Sequence, residues 1–261
     1  MLFTELVEQM NEFCRNSPLN FVPELQNMRI FDEPLVGVAD AGDPVFLKLK
    51  EPEAVGPHHL LPAEWLNGSL SVISYFLPFT KEVRVANRQP GDPSIEWLYG
   101  RIEGQTLNNS LSRMISDRLT EAGFQAVIPA QDPRFSIRER RSNWSERHVA
   151  FIAGLGTVSL SCSIITKKGS AGRLGSVITN LQIPPTPRYY EKIDENCTHC
   201  GACIRRCPPQ AIDKTGKDHN ICDAYLETMK VRYQPRYGCG KCQTAVPCEG
   251  MIPLKNTDRI V

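Results

Sequence analysis

The chain contains the run Cys197-Thr-His-Cys200-Gly-Ala-Cys203-Ile-Arg-Arg-Cys207-Pro208, in which successive cysteines are separated by two, two and three residues. In such a run the first three thiolates reach three corners of one [4Fe–4S] cluster, while the fourth ligates a second cluster. The spacing therefore predicts an electron-transfer module, and it predicts that a partner set of cysteines lies elsewhere in the chain.

A partner set follows the run and completes eight candidate ligands. By the crossed ligation of two-cluster ferredoxins, Cys248 is expected to complete the first cluster, and Cys207 is expected to belong to the second. Five residues separate Cys242 from Cys248 where ferredoxin-type runs have three, so this loop is longer than usual. The predicted ligand sets are Cys197, Cys200, Cys203 and Cys248 for one cluster, and Cys207, Cys222, Cys239 and Cys242 for the other.

Zinc and disulfides are the alternative uses of these cysteines. Structural zinc also takes Cys-x-x-Cys pairs, but one ion needs four ligands and has no use for the three-residue step before a proline. Disulfides belong to oxidising compartments, and the N-terminus Met1-Leu-Phe-Thr-Glu5 reaches an acid before any apolar signal-peptide run develops. We expect a reducing, cytoplasmic setting, with Cys14 and Cys162 as small buried side chains.

Length, charge and hydropathy exclude several classes of protein. With 261 residues and 41% hydrophobic composition, the chain can form one sizeable core and a small appended module. The net charge is +1 without a long basic run, so no nucleic-acid partner is expected. The longest apolar stretch, Leu70 to Phe79, is shorter than the roughly 18–20 residues of a membrane span.

Helix and strand patterns alternate along the first two thirds of the chain, which favours an α/β or α+β core. A stiff linker, Pro184-Pro-Thr-Pro187, separates a core domain of residues 1–186 from a cluster module of residues 187–261. The predicted helices cover Leu2 to Phe13, Ser94 to Ala122, and Asn143 to Gly154 with Ser142 or Asn143 as N-cap. The predicted strands cover Val36 to Leu49 with a turn at Ala41 to Pro44, Ser71 to Leu77, Phe124 to Pro129, Cys162 to Thr166, and Ser176 to Thr179.

Two passages resemble the core signature of the epoxyqueuosine reductase family. They read Glu146-Arg-His-Val-Ala-Phe-Ile-Ala-Gly-Leu-Gly156 and Gly172-Arg-Leu-Gly-Ser-Val-Ile-Thr-Asn-Leu181. Members of this family depend on cobalamin, carry two [4Fe–4S] clusters and share their core with reductive dehalogenases. The resemblance therefore implies a nitroreductase-like, corrinoid-binding core followed by a two-cluster bacterial ferredoxin-like module, suited to anaerobic electron transfer.

The same resemblance implies which residues face the corrinoid. Glycine backbone can approach a flat macrocycle closely, and a helix N-terminus favours an anionic group such as the nucleotide-loop phosphate. Ordinary helix caps, turns and a structural histidine are the alternative interpretation of these positions. The candidate cofactor-binding residues are Gly154, Gly156, Gly172 and Gly175, together with Ser145, Arg147 and His148.

The chain departs from the family at the expected catalytic positions. The place of the family's aspartate falls near Arg140 or Arg141, where no acid stands. Tyr99-Gly100-Arg101 resembles the substrate-side motif, which makes Tyr99 the leading proton donor, with Tyr75 behind it, and Glu103 a substitute acid. Because the sequence also stops at Val261, without the family's C-terminal extension, we do not expect action on tRNA-borne epoxyqueuosine.

Three functions of different classes remain open. The first is a reductase that passes electrons through two clusters to a corrinoid and acts on an unidentified small molecule or on a partner's corrinoid. Its electron donor is expected to be a reduced ferredoxin or flavodoxin, guided by Arg205 and Arg206. The second is a two-cluster electron carrier without a corrinoid, and the third is a protein that binds or handles cobalamin.

Overall fold

The computed structural model describes residues 3–254, so Leu2 and Val261 of the sequence analysis lie outside the described residues. No helix of residues 3–254 is long and apolar enough to span a membrane. The helices are α1 Phe3–Asn16, α2 Val45–Lys48, α3 Pro62–Trp65, α4 Lys81–Ala86, α5 Ile95–Glu121, α6 Glu146–Ile152, α7 Ala202–Arg206 and α8 His219–Tyr233. The strands are β1 Phe21–Val22, β2 Met28–Arg29, β3 Leu35–Asp40, β4 Ser71–Pro78, β5 Ala126–Val127, β6 Ile137–Arg138, β7 Arg141–Ser142, β8 Gly156–Val158, β9 Ile164–Thr166 and β10 Gly172–Thr179.

A four-stranded antiparallel sheet of order β3-β4-β10-β5 forms the centre of the core. Every residue of β4 is buried, as expected of an inner strand covered on both faces. β10 pairs with β4 along its whole length but with β5 only at Ile178 and Thr179. The first six residues of β10 therefore leave one edge free of strand pairing. The antiparallel sheet with helices on both faces confirms the α+β prediction.

The two faces of the sheet pack on different helices. On one face Tyr75, Leu77 and Val177 join the buried cluster that contains Leu107 and Leu111 of α5. On the other face Phe76 contacts Ala150 of α6 in a separate cluster with Leu155 and Ile164. Because side chains alternate along a strand, odd-numbered residues of β10 point towards α5 and even-numbered ones towards α6.

The long central helix α5 follows the predicted pattern closely. The Ser94 hydroxyl caps its first turn by accepting the Trp97 N–H, and Gly123 follows its end with φ of 87°. Gly104 lies where a Cβ atom would come within 2.8 Å of the Phe31 ring, so only glycine lets the helix pack this closely. The sequence signals at both ends of this helix were therefore correct.

Several local predictions were wrong in extent. Strand β9 begins at Ile164 rather than at Cys162, and β10 begins at Gly172 rather than at Ser176. After β3 the chain forms α2 rather than a second strand, because the Asp43 carboxylate accepts the Val45 N–H and starts a helical turn. Only Ala126 and Val127 of the strand predicted over Phe124 to Pro129 pair with the sheet. Helix α6 begins at Glu146 with Ser145 as N-cap, since the Asn143 side chain bonds instead to the backbone of Ser136 and Arg134.

The proline-rich linker lies against the core. The Val38 N–H donates to the Thr186 hydroxyl at 3.0 Å, and the Thr186 N–H donates to the Val38 oxygen at 2.9 Å. The linker thus occupies the outer edge of β3 and carries the chain towards the cysteine-rich part. The division into two domains at residue 186 stays a prediction.

Candidate functional site

The first cysteine set comes together at one cavity. Cys197, Cys200 and Cys203 lie around the start of α7, where Gly201 turns the chain with φ of 69°. Cys248 reaches the same cavity from the loop that follows Cys242. Burial raises the pKa of the Cys248 thiol to about 11, so a free thiolate is disfavoured here unless a cation binds it.

The longer loop before Cys248 is closed by a buried carboxylate. Glu249 is 4% exposed and accepts the Ala245 N–H at 2.7 Å and Arg88 Nη2 at 2.8 Å. Arg84 Nη1 lies 3.4 Å from the same carboxylate. Val246, one of the two extra residues, is buried beneath this turn. The insertion therefore serves to anchor the Cys248 loop on α4 of the core.

The second cysteine set lines a different and larger cavity of about 560 Å³. Cys222 lies in the first turn of α8, which the Asp218 carboxylate caps. Cys239 and Cys242 flank Gly240, where φ is 65° and a Cβ atom would come within 1.9 Å of the Trp97 ring. Burial raises the pKa of Cys242 to about 12. Cys207 completes the set that lines this cavity.

A serine-rich loop separates the two cavities. Ser161 lines both of them, and its hydroxyl lies 2.9 Å from that of Ser159 and 3.1 Å from that of Ser163. Cys162, with φ of 60°, lines the larger cavity and is only partly buried, which corrects the expectation of a buried side chain. Cys14 is buried as expected. Among residues 3–254, no group of three or more His, Cys, Asp or Glu side chains is arranged to hold a single metal ion.

The core side of the larger cavity combines aromatic and charged residues. Phe76, Phe79 and Trp97 form its apolar surface, while the free edge of β10 contributes Gly172, Arg173 and Leu174. Four cationic side chains and one acidic side chain line the cavity: Arg101, Arg147, Arg173, Lys217 and Glu146.

Glu146 is the unusual member of this group. Both of its carboxyl oxygens are shielded from solvent, and neither has a hydrogen-bond partner. Burial raises the pKa of this carboxyl to about 7; the Ser176 hydroxyl opposes the rise, but it stands outside hydrogen-bonding geometry. A carboxyl with a pKa near neutrality is suited to give or take a proton at physiological pH.

The predicted cofactor-binding residues fall into two groups. Arg147 and Gly172 line the large cavity. Ser145 and His148 bond to each other instead, with Oγ and Nδ1 2.7 Å apart. A Cβ atom at any of the four glycines would meet protein: the Leu77 oxygen and the Phe76 ring at Gly172, the linker at Gly154, the Ile165 backbone at Gly156 and the Tyr75 ring at Gly175.

The predicted proton donors lie outside the residues that line the large cavity. Arg236 covers the Tyr99 ring at 3.5 Å and forms an ion pair of 2.6 Å with Glu103. Tyr75 is fully buried and donates its hydroxyl to the Asn108 oxygen at 3.1 Å. Their catalytic roles stay predictions.

The arginines at the expected aspartate position and near the clusters have different environments. Arg140 is exposed and forms an ion pair with Asp223 of α8. Arg205 is exposed beside Cys200, whose backbone oxygen it approaches. Arg206 turns inward and donates to the backbone oxygens of Thr244 and Asn87. Of the two arginines expected to guide a donor, only Arg205 is therefore available at the surface.

Glu146 and Arg173 stand inside the two family-like passages, where the sequence gives neither residue an evident role. A glutamate in the first turn of a helix and an arginine in a strand are ordinary in sequence. Only the topology shows that both reach one cavity. One feature of the sequence could have drawn attention to Glu146. Arg140 or Arg141 stands where the family has an aspartate, so another residue has to supply the acid.

Comparisons with known proteins agree with this architecture. Residues 190–213 match the family model "4Fe-4S binding domain". The epoxyqueuosine reductase of Bacillus anthracis is 37% identical in an alignment 145 residues long, which covers 51% of this chain and 37% of that protein. The chain thus spans little more than a third of that curated relative's length.

Two solved structures share the fold. The epoxyqueuosine reductase of Streptococcus thermophilus superposes with a TM-score of 0.56 at 17% identity, covering 98% of this chain and 69% of that one. A reductive dehalogenase described in terms of B12-dependent dehalogenation gives a TM-score of 0.57 at 16% identity, covering 82% of this chain and 29% of that one. The resemblance drawn from the sequence is confirmed: the chain is similar in sequence to epoxyqueuosine reductases over about half of its length, has a fold like that of the solved epoxyqueuosine reductases and reductive dehalogenases, and contains a 4Fe-4S binding segment.

Proposed function

We propose that the protein is an iron–sulfur oxidoreductase that carries two [4Fe–4S] clusters and binds a corrinoid in the large cavity, for the reduction of a small molecule or of a partner's corrinoid. The observation that carries the proposal is the composition of this cavity. Core residues such as Arg147 and Gly172 line it together with all four cysteines of the second set. A group bound there lies beside the second cluster, within reach of direct electron transfer.

The proposed ligand sets follow the two cavities. Cys197, Cys200, Cys203 and Cys248 line one, while Cys207, Cys222, Cys239 and Cys242 line the other. The contiguous order of the first run and the distant fourth ligand agree with crossed ligation in two-cluster ferredoxins. Lys217, beside Cys222 and Cys242, offsets negative charge on the second set.

The residues around the large cavity suit a corrinoid. Gly172 presents backbone at the free edge of β10, and Arg147 offers a cation to an anionic side group. The unpartnered Glu146 carboxyl can donate to an amide or phosphate oxygen when protonated and can accept an amide N–H when ionised. When bound, a corrinoid supplies a cobalt centre that, once reduced, is a strong nucleophile or one-electron donor.

The chain's own residues would orient the bound groups in the cavity, exclude water from it and supply protons for the reduction. The rings of Phe79 and Trp97, whose centres lie 4.8 Å apart, exclude water from one side of the cavity. Glu146 holds a proton at its carboxyl up to about pH 7 and can release it into the cavity. Tyr99 and Glu103 remain the alternative donors that the family resemblance suggests.

The first cluster faces the proposed electron donor. Cys200 is exposed at an open groove of about 390 Å³, which Arg205 and Lys214 also line. These cations favour an acidic partner such as a reduced ferredoxin or flavodoxin. The net charge of +1 gives no support to a nucleic-acid substrate.

The proposal is tested by titrating the anaerobically reconstituted protein with cob(II)alamin while recording electron paramagnetic resonance spectra. We expect about eight irons per chain, as two cubane clusters imply, and conversion of the cobalt signal to a base-off form at one equivalent. Arg147→Gln should weaken this binding, whereas the exposed Arg118→Gln should not.

Two other outcomes correspond to the alternative functions. Full iron content with an unchanged free cobalamin signal would contradict the corrinoid and leave a two-cluster electron carrier. Stoichiometric binding of cobalamin without multiple turnover of any reducible substrate would instead support a cobalamin-handling protein.

A further inference from the structure

A serine of the core contacts a proposed ligand of the first cluster. The Ser170 hydroxyl faces Cys248, with Oγ and Sγ 3.8 Å apart. Cys248 lines the first cavity together with the three cysteines of the run at residues 197–203. Ser170 lies in the turn between β9 and β10, so a side chain from outside the cysteine-rich part reaches this ligand set.

Backbone contacts hold this turn against the Cys248 loop. The Ser170 N–H donates to the Cys248 oxygen at 2.8 Å, and the Ala171 N–H donates to the Glu249 oxygen at 3.3 Å. A Cβ atom at Gly169, where φ is 78°, would come within 2.3 Å of the Glu249 oxygen. Because the backbone already fixes the turn and the loop together, the Ser170 hydroxyl is free to serve another purpose.

Burial and chemistry determine which of the two groups is the donor. Ser170 is 2% exposed, and within residues 3–254 the Cys248 sulfur is the one hydrogen-bond partner of its hydroxyl. A buried hydroxyl donates its hydrogen where it can, because an unpaired polar group is costly. A cysteine sulfur that binds iron is a thiolate without a proton, so it can only accept. The Ser170 hydroxyl is therefore a donor to the cluster ligand.

A donor at a ligating sulfur favours the reduced state of the cluster. One-electron reduction adds negative charge that is shared by iron, sulfide and cysteine sulfur, and a hydrogen bond is stronger when its acceptor is more negative. Hydrogen bonds to the sulfurs are among the factors that set the reduction potential of an iron–sulfur cluster. Removal of such a donor should therefore lower the potential.

The contact is specific to the first ligand set. In the second set, the Cys207 sulfur accepts the Ala211 N–H at 3.2 Å, which is a backbone donor within the cysteine-rich part. Ser170 also lines the large cavity, but it contacts the second set's loop through its backbone oxygen, which accepts Gln243 Nε2 at 3.0 Å. Loss of the hydroxyl alone leaves that bond in place, so a change of side chain at Ser170 should act on the first cluster.

We propose that Ser170 is a positioning residue that raises the reduction potential of the first cluster through its hydrogen bond to Cys248. The electron donor loses one electron and the first cluster gains it, and the raised potential favours this transfer at the groove where Cys200 is exposed. The inference rests on the proposed function in one respect, because it needs a cluster bound to Cys248. It does not need the corrinoid.

The test is a redox titration of the iron-replete protein with dithionite, followed by electron paramagnetic resonance. We expect Ser170→Ala to lower the potential of one cluster by an amount equivalent to about a tenfold change in its one-electron equilibrium constant, or about 59 mV. The other cluster should keep its potential. The same shift should appear when Ser170→Ala is combined with Cys207→Ser, which should retain only the first cluster.

Two further variants separate the hydrogen bond from a change in packing. Ser170→Thr keeps the hydroxyl and should restore most of the wild-type potential. Ser74→Ala is the matched control, because Ser74 is also a buried serine of the core but lines neither cavity, and its hydroxyl has no partner in the described part of the chain. Both potentials should be unchanged in Ser74→Ala.

Several results would overturn the role of Ser170. One is the same pair of potentials in the wild type and in Ser170→Ala at full iron content; another is a shift confined to the second cluster. A third is an equal shift in Ser170→Ala and Ser170→Thr, which would mean that packing and not the hydrogen bond sets the potential. Loss of first-cluster iron in Ser170→Ala would mean that the hydroxyl anchors the loop instead of adjusting the potential.

Iron content and a parallel titration with cob(II)alamin separate this inference from the proposed function. The expected shift in a protein that does not bind cob(II)alamin would contradict the corrinoid and support the role of Ser170. Cob(II)alamin binding with about eight irons per chain, but without a shift in Ser170→Ala, would have the opposite meaning. Retention of both clusters in Cys248→Ser would contradict the first ligand set and, with it, the role of Ser170.

Discussion

The side-chain amide of Asn87 donates through Nδ2 to the backbone oxygen of Cys239 at 2.9 Å and so joins the core to the second cysteine set. The same side chain accepts the Ser94 N–H through Oδ1, and its backbone oxygen accepts from Lys241 Nζ and Arg206 Nη2. Asn87 is fully buried. One residue just after α4 therefore determines how α5 and the cysteine loop sit together.

Replacement of Asn87 by alanine should loosen the second cluster. The change leaves the Ser94 N–H and the Cys239 oxygen without these partners, at a cost of about 1–3 kcal/mol for each buried group left unpaired. We expect faster release of iron to a chelator and a lower urea midpoint. The exposed Asn67→Ala is the matched control, and equal iron release from the two variants would contradict the role of Asn87.

Replacement of Cys207 by serine should remove the second cluster and spare the first. Cys207 lines only the large cavity, so the set that contains Cys248 keeps all four thiols. Iron content should fall by about half, as expected when one of two equal clusters is lost. Loss of the first cluster with survival of the second would overturn this assignment of cysteines to clusters. The control variant is Cys14→Ala, because Cys14 lines neither cavity, and it should keep its full iron content.

Replacement of Gly240 by alanine should displace the loop between Cys239 and Cys242. The new Cβ atom would lie 1.9 Å from the Trp97 ring, and φ of 65° adds backbone strain. Gly91→Ala is a matched control, since its φ is 80° but nothing lies within 4 Å of the new atom. Strain of this kind alone costs roughly 1–2 kcal/mol. Gly240→Ala should lose second-cluster iron that Gly91→Ala retains; equal retention would show that the Trp97 contact does not limit this loop.

The buried Glu146 carboxyl should make stability depend on pH near neutrality. Burial raises its pKa from the ordinary 4.5 to about 7, so the folded state binds more protons than the unfolded state between these values. Stability from this group is complete below about pH 4.5 and is lost as pH rises through about 7. The wild-type protein should therefore lose up to about 3 kcal/mol relative to Glu146→Gln across this window.

Urea unfolding of both proteins at several pH values measures this difference, with the exposed Glu121→Gln as control. A protonated carboxyl band in the infrared difference between wild type and Glu146→Gln should disappear on the same titration. Parallel pH profiles for wild type and Glu146→Gln would refute a raised pKa at this position.

The parts of the structure that depend on local patterns were predictable from sequence. The cysteine spacing led to the 4Fe-4S binding segment, and Ser94 and Gly123 marked the ends of α5. Tertiary contacts decided the rest. Asp43 converted an expected strand into α2, and β10's partial pairing with β5 left the free edge at which Arg173 lines the large cavity. Nothing in the spacing of Asn87, Glu146 or Arg173 reveals that they meet the cysteine loops.

If a corrinoid binds beside the second cluster, its cobalt should be magnetically coupled to that cluster when the cluster is reduced. Cob(II)alamin is bound to the dithionite-reduced protein at one equivalent, and its electron paramagnetic resonance spectrum is compared with that of Cys222→Ser loaded in the same way. We expect a split or broadened cobalt signal with fast relaxation in the wild-type protein and an unsplit signal in the variant. A cobalt signal of bound cobalamin that is identical in both proteins would contradict the placement of the corrinoid in this cavity.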